Sequence, residues 1–107
     1  METIDRSSLA ELLNSEVHRF VTMHPQSEAL YQRAQSHLLA GVPMPWMVRW
    51  AGPFPIFVRE GKGAYFHDVD GHRYLDFCLG DTGAMTGHAP EATVQAMAQQ
   101  LERGLTF

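Results

Sequence analysis

His67, Asp68, Asp70 and His72 crowd one short stretch of the chain and are the residue types that hold divalent cations. A calcium loop, however, needs oxygen ligands well past its glycine and a closing glutamate, which Arg73 to Leu79 do not supply, so no metal site is expected there. Gly61-Lys62-Gly63 resembles the start of a phosphate loop only superficially. Such loops end in Lys-Ser or Lys-Thr and open a helix, whereas a strand pattern follows here. Cys78 and His88 are a nucleophile and a base by type, but Cys78 lies between Phe77 and Leu79 in a strand-like run, where a buried inert thiol is expected. Lys62 is the single lysine and sits between two glycines on an expected solvated turn, poorly placed for imine chemistry.

Two features remain as ligand contacts. Asp81-Thr82-Gly83 is a polar trio just past a strand, inside a loop that also holds Gly80 and Gly87, where backbone and short side chains can approach a ligand closely. Arg49, between Val48 and Trp50, can pair bidentately with a carboxylate. Arg49, Asp81, Thr82 and Gly83 are therefore the candidate substrate-binding residues; no catalytic, cofactor-binding or metal-ligating residue is assigned.

These residues must be positioned by a small set of elements. Between Ile4 and Met23, Leu9, Leu12, Leu13, Val17, Phe20 and Val21 recur at helical spacing behind the capping candidates Ser7 and Ser8. Pro25 suits the first turn of a second helix that Gly41 would stop. Pro43, Pro45, Pro53 and Pro55 forbid a regular helix over 42–55, so this segment is expected to run extended, packing Trp46 and Trp50 over a core edge. Strands are expected at Ile56 to Arg59, Ala64 to Val69 and Arg73 to Leu79, with a turn at Glu60 to Gly63. Asp70-Gly71 predicts a two-residue hairpin turn that sets Val69 opposite His72, Asp68 opposite Arg73, His67 opposite Tyr74 and Phe66 opposite Leu75. In that register Asp68 and Arg73 meet as opposite charges, and Phe66, Leu75 and Phe77 share a face. Pro90 opens a third helix that Gly104 stops.

The chain is an α+β arrangement with four parts: helices over 1–41, an extended arm over 42–55, a three-stranded antiparallel sheet over 56–79, and a glycine-rich loop with the start of a helix over 80–107. Its 107 residues allow one domain at most. A net charge of -4 and eight scattered basic residues argue against nucleic acid. No apolar run approaches the roughly 20 residues of a membrane span. One cysteine excludes an intrachain disulfide and, with no leader signature, points to the cytoplasm. The apolar ending Leu105-Thr106-Phe107 leads us to expect a truncated domain.

The run Gly63-Ala64-Tyr65-Phe66-His67-Asp68-Val69-Asp70-Gly71-His72-Arg73-Tyr74-Leu75-Asp76-Phe77, followed by a glycine-rich loop and Gly87-His88-Ala89-Pro90, resembles the amino-terminal region of class-III aminotransferases. These are pyridoxal-phosphate enzymes of fold type I, with an α/β large domain. Tyr31, Ala34 and Leu39-Ala40-Gly41-Val42 are most similar to the glutamate-1-semialdehyde aminomutase branch. The resemblance covers about residues 28 to 107. It implies a cytoplasmic homodimer acting on a small-molecule amino donor and a keto-acid acceptor, with pyridoxal 5'-phosphate held by residues beyond Phe107. In that branch the arm after Gly-Val carries a carboxylate-binding arginine in a Ser-Pro-x-Arg pattern; here Met47 aligns with it and Arg49 follows two residues later. Gly80 to Ala84 matches the segment lining the substrate side of the cofactor, where an aromatic is often found, and Asp81 stands there instead. A carboxylate in that place favours an amine or hydroxyl over a dicarboxylic or semialdehyde substrate.

The reading is thus of the amino-terminal part of a transaminase, inactive by itself. Aminomutase or racemase chemistry on the same cofactor, and a noncatalytic interaction module, remain open as alternatives.

Overall fold

The computed structural model describes residues 4–49 and 51–104, so Trp50 and the apolar ending at Leu105 to Phe107 lie outside the described residues. The chain groups into two units, 1–57 and 58–107.

In the first unit, helix α1 spans Arg6–Met23. Its cap is Asp5 rather than Ser7 or Ser8: the Asp5 carboxylate accepts the backbone N–H of Ser7 at 2.9 Å and of Ser8 at 3.3 Å, and the Ser8 hydroxyl at 2.8 Å. An ionised oxygen satisfies these orphan donors and favours the positive end of the helix dipole. The helix breaks at His24, whose ring nitrogen Nδ1 donates to the Phe20 carbonyl at 2.7 Å and whose imidazole stacks on the Phe20 ring. Helix α2 then starts at Pro25, as expected, but runs only to Ala34. A turn follows, the chain becomes extended at Leu38, and a short 3-10 segment at Leu39–Gly41 has Ala40 and Gly41 at positive φ. Gly41 is required there: a Cβ would lie 2.8 Å from Cε2 of Tyr31.

The arm is not wholly extended. Pro45–Val48 forms a 3-10 turn, since proline at the first helical position loses no hydrogen bond. Trp46 is 60% exposed and covers no core edge. The aromatic that does pack is Phe54, 4% exposed, with its ring 5.0 Å from that of Phe20.

The second unit carries a three-stranded antiparallel sheet in the order β1-β2-β3. Strand β1 is Val58–Lys62, β2 is Tyr65–Asp68 and β3 is Arg73–Leu75. The first strand is therefore shifted from the expected Ile56 to Arg59, and most of the expected Glu60 to Gly63 turn is strand. Lys62 pairs with Tyr65, so the chain reverses at Gly63-Ala64, where Gly63 supplies a φ of 58°. Backbone pairing with β2 outweighs the apolar alternation that suggested the earlier boundary.

The second hairpin departs by one residue. Tyr65 faces Leu75, Phe66 faces Tyr74 and His67 faces Arg73. The Asp68 N–H donates to the His72 carbonyl and the Gly71 N–H to the Asp68 carbonyl, leaving a three-residue loop, Val69-Asp70-Gly71, with only Gly71 at positive φ. Such a loop needs one left-handed residue where the expected two-residue turn needs two. Asp68 consequently does not oppose Arg73; the Arg73 guanidinium lies over the Tyr65 ring, 3.7 Å from its centroid. Phe66 stacks on Tyr74 at 4.9 Å, and Phe77 is 88% exposed rather than sharing a face with Phe66 and Leu75. Helix α3, Glu91–Leu101, follows Pro90. Among the described residues no helix is long and apolar enough to cross a membrane.

Candidate functional site

Strand β3 stops at Leu75 because the next side chain takes over its amides. The Asp76 carboxylate accepts the backbone N–H of Cys78 and Leu79 at 2.9 Å on Oδ1, and of Gly80 at 3.1 Å on Oδ2. An aspartate that satisfies three following amides closes a loop instead of continuing a ladder. The expected strand to Leu79 is thus a turn, and Cys78 is exposed, not a buried thiol.

Oδ2 of Asp76 also accepts Nε2–H of His88 at 2.7 Å. His88 is fixed independently. Its backbone exchanges both hydrogen bonds with Gly63, at 2.7 and 2.9 Å, and its ring lies over Gly61, where a Cβ would come within 2.8 Å of the imidazole. Gly87 must also lack a side chain, since a Cβ would meet the Gly63 backbone at 3.2 Å. The Nε2–H of His88, and then the three backbone donors, hold the Asp76 carboxyl below the ordinary carboxylate range against some desolvation.

From this anchor the chain runs through Leu79, Gly80, Asp81 and Thr82, all at positive φ (55°, 56°, 52° and 74°). Three of these are not glycine, and left-handed backbone at such residues is costly unless the surroundings enforce it. The enforcing groups here are Asp76, the Ala84 N–H bound to the Leu79 carbonyl at 2.8 Å and the Gly83 N–H bound to the Gly80 carbonyl at 3.2 Å. Asp81, Thr82 and Gly83 are thereby brought together, exposed, at the loop tip. Arg49 lies in the first unit, exposed, just after the 3-10 turn. That unit also holds an apolar hollow of about 430 Å³ lined by His37, Leu38, Leu39, Val42, Pro45 and Val48, where few polar groups converge.

The histidine and aspartate cluster of the hairpin does different work. Asp68 is fully buried and accepts the His72 N–H at 2.8 Å, the His72 Nδ1–H at 3.0 Å and the Tyr74 hydroxyl at 2.8 Å. Desolvation pushes its carboxyl upward, but the bonds from His72 and Tyr74 outweigh it and leave the group below its ordinary value. Burial, then the Asp68 bond and charge, raise the Tyr74 hydroxyl above its ordinary value. His67 instead faces Glu60, 3.6 Å away.

The described residues do not fit pyridoxal phosphate. The single lysine, Lys62, ends β1 and donates its Nζ to the Ala89 carbonyl at 3.2 Å. Each described α-helix N-terminus already carries a carboxylate, Asp5 on α1, Glu28 on α2 and Glu91 on α3, which would repel a phosphate there.

A sequence model described as Aminotransferase class-III matches residues 46–107. The chain belongs to the class-III aminotransferase family. Among curated relatives it is 39% identical over 82 residues to a glutamate-1-semialdehyde 2,1-aminomutase of Methanocaldococcus jannaschii, covering 77% of this chain and 19% of that protein. An enzyme of the same name from Archaeoglobus fulgidus is 40% identical over 82 residues, again 77% and 19%. A solved glutamate-1-semialdehyde aminomutase of Pseudomonas aeruginosa PAO1 superposes with a TM-score of 0.88 at 42% identity, over 97% of this chain and 23% of that one. A β-phenylalanine aminotransferase of Variovorax paradoxus gives 0.79 at 26% identity, over 89% and 22%. The chain thus spans about a fifth of the length of the curated relatives it matches.

Sequence reasoning found the loop but missed what builds it. Asp76 looked like one more strand residue. The available signal was Gly61, a side-chain-free strand position that leaves room for the His88 ring.

Proposed function

We propose that these residues form the amino-terminal part of a pyridoxal-phosphate-dependent transaminase, moving an amino group between an amino acid or amine and a keto acid. The observation that carries this is the match of residues 46–107 to the class-III aminotransferase model, supported by the likeness of nearly the whole chain to 23% of a solved aminomutase at a TM-score of 0.88. The cofactor would be pyridoxal 5'-phosphate, held by residues outside this chain. One solved relative is an aminomutase in complex with PMP and another a transaminase with PLP bound.

In this reading the chain contributes substrate contacts and no chemistry. Arg49 would pair with a substrate carboxylate, and the Gly80 to Gly83 loop would present Asp81 and Thr82 as polar contacts. The Asp81 carboxylate accepts hydrogen bonds and repels anions, so it suits a substrate bearing an amine or hydroxyl there. The assembly would be a cytoplasmic homodimer. Aminomutase chemistry is the second reading, favoured by the names of the curated relatives.

The test is to purify the protein expressed from its own gene, record the cofactor absorbance, and assay a panel of amino donors against keto acids. Net transfer to an external keto acid supports transamination. Isomerisation of glutamate-1-semialdehyde without an external acceptor supports the second reading. Absence of cofactor and of both reactions refutes the proposal.

A further inference from the structure

We infer that His88 is a positioning residue for the substrate loop, acting through Asp76 and never touching the substrate itself. The inference rests on the proposed role of the Gly80 to Gly83 loop. Its physical basis is a single relay from the sheet to the loop tip. His88 is fixed from the sheet side by two backbone bonds to Gly63 and by the side-chain-free surface of Gly61 beneath its ring, and its Nε2–H is thereby held on Asp76. Asp76 in turn holds the amides of Cys78, Leu79 and Gly80.

Leu79, itself one of the anchored residues, and Asp81 and Thr82 immediately beyond them are the non-glycine residues in left-handed backbone. Each favours relaxation out of that conformation. Among the described residues, the bond from His88 to Oδ2 is the one contact of the Asp76 carboxylate that comes from outside the loop it caps, and it sets the orientation in which Oδ1 serves two amides and Oδ2 a third. Without His88 the carboxylate can turn to solvent, the amides are released and Asp81 and Thr82 lose their fixed direction. A displaced contact of this kind lowers kcat/KM without altering the reacting groups.

The experiment uses the protein expressed from its own gene and compares His88→Ala, His88→Gln and Gly61→Ala with the natural sequence. His88→Gln keeps an N–H donor within reach of Asp76, whereas Gly61→Ala displaces the imidazole without removing any polar group. Hydrogen exchange of the 77–83 segment and steady-state kinetics with the preferred amino donor are both recorded. The expected result is faster exchange in 77–83 for His88→Ala and Gly61→Ala, with kcat/KM down roughly tenfold to a hundredfold. The loss should lie mainly in KM for the amino donor, with cofactor absorbance unchanged and substantial recovery in His88→Gln. Exchange at the natural rate in His88→Ala would overturn the inference, as would faster exchange with an unchanged KM. If the natural protein shows no turnover, the functional reading fails, while unchanged exchange would separately refute the His88 relay.

Discussion

The imidazole of His88 and the carboxylate of Asp76 meet at 2.7 Å, although 12 positions separate them in the chain. Between them lies the whole glycine-rich loop, so this one bond closes it at its base. The sheet supplies the rigid side of the closure through Gly61 and Gly63, and Asp76 supplies the side that reaches the loop amides. A loop built this way can hold left-handed residues that a free segment would not keep.

Acid should loosen this loop and the neighbouring hairpin together. The carboxyls of Asp76 and Asp68 both sit below their ordinary values in the folded chain. Such groups add stability above the unfolded carboxylate pKa, about 3.9, and that contribution is lost as pH falls through the lower folded values. Thermal midpoints at constant ionic strength should show no change due to these two groups between pH 7 and 5, where their contribution is complete, and a decline below about pH 4. Asp68→Asn and Asp76→Asn should each flatten the decline.

Removing the Tyr74 hydroxyl leaves one acceptor position of a buried carboxylate unfilled. Tyr74→Phe should cost about 1.5 kcal/mol in urea unfolding, the usual worth of a hydrogen bond to a charged group. Asp68→Ala, which strands the donors of both His72 and Tyr74, should cost more, roughly 2 to 4 kcal/mol. Equal losses in the two variants would argue against the shared network.

Gly41→Ala should be destabilising by about 2 kcal/mol, from the left-handed backbone and from crowding Tyr31. The clash distance of 2.8 Å is to the Tyr31 ring itself, not to a flexible chain end. Gly71 also takes a positive φ, 93° against 73° for Gly41, but has open space around it, so Gly71→Ala should cost only the backbone term. A lower unfolding midpoint for Gly41→Ala than for Gly71→Ala would report the crowding against Tyr31 and Gln35.

How far the sequence revealed this architecture depended on where local signals acted alone. The break between α1 and α2 at His24, the start of α2 at Pro25 and of α3 after Pro90 were legible because proline chemistry is local. The hairpin register was misjudged because Asp70-Gly71 suits two turn lengths, and the choice fell to Asp68, whose carboxylate gains His72 and Tyr74 only in the longer one. The loop residues Asp81, Thr82 and Gly83 could be picked out as a polar trio among glycines. Their anchor could not, because the Asp76–His88 bond is a long-range contact with no periodic signature.

The exposed apolar rows of α1, Leu9, Leu12 and Leu13, and of α3, Val94, Met97 and Leu101, predict the behaviour of these 107 residues alone. Expressed as an isolated piece they should bind a hydrophobic dye, self-associate, and unfold over a broad range. A monomer with a sharp cooperative transition would show that those faces need no further protein to cover them.

The central claim is that this chain serves a pyridoxal-phosphate transaminase as its amino-terminal part. Intact mass and visible absorbance of the protein from its native source test it most directly. The account predicts a species several times heavier than 12.0 kDa that carries the cofactor chromophore. A 12.0 kDa species without that chromophore would contradict it.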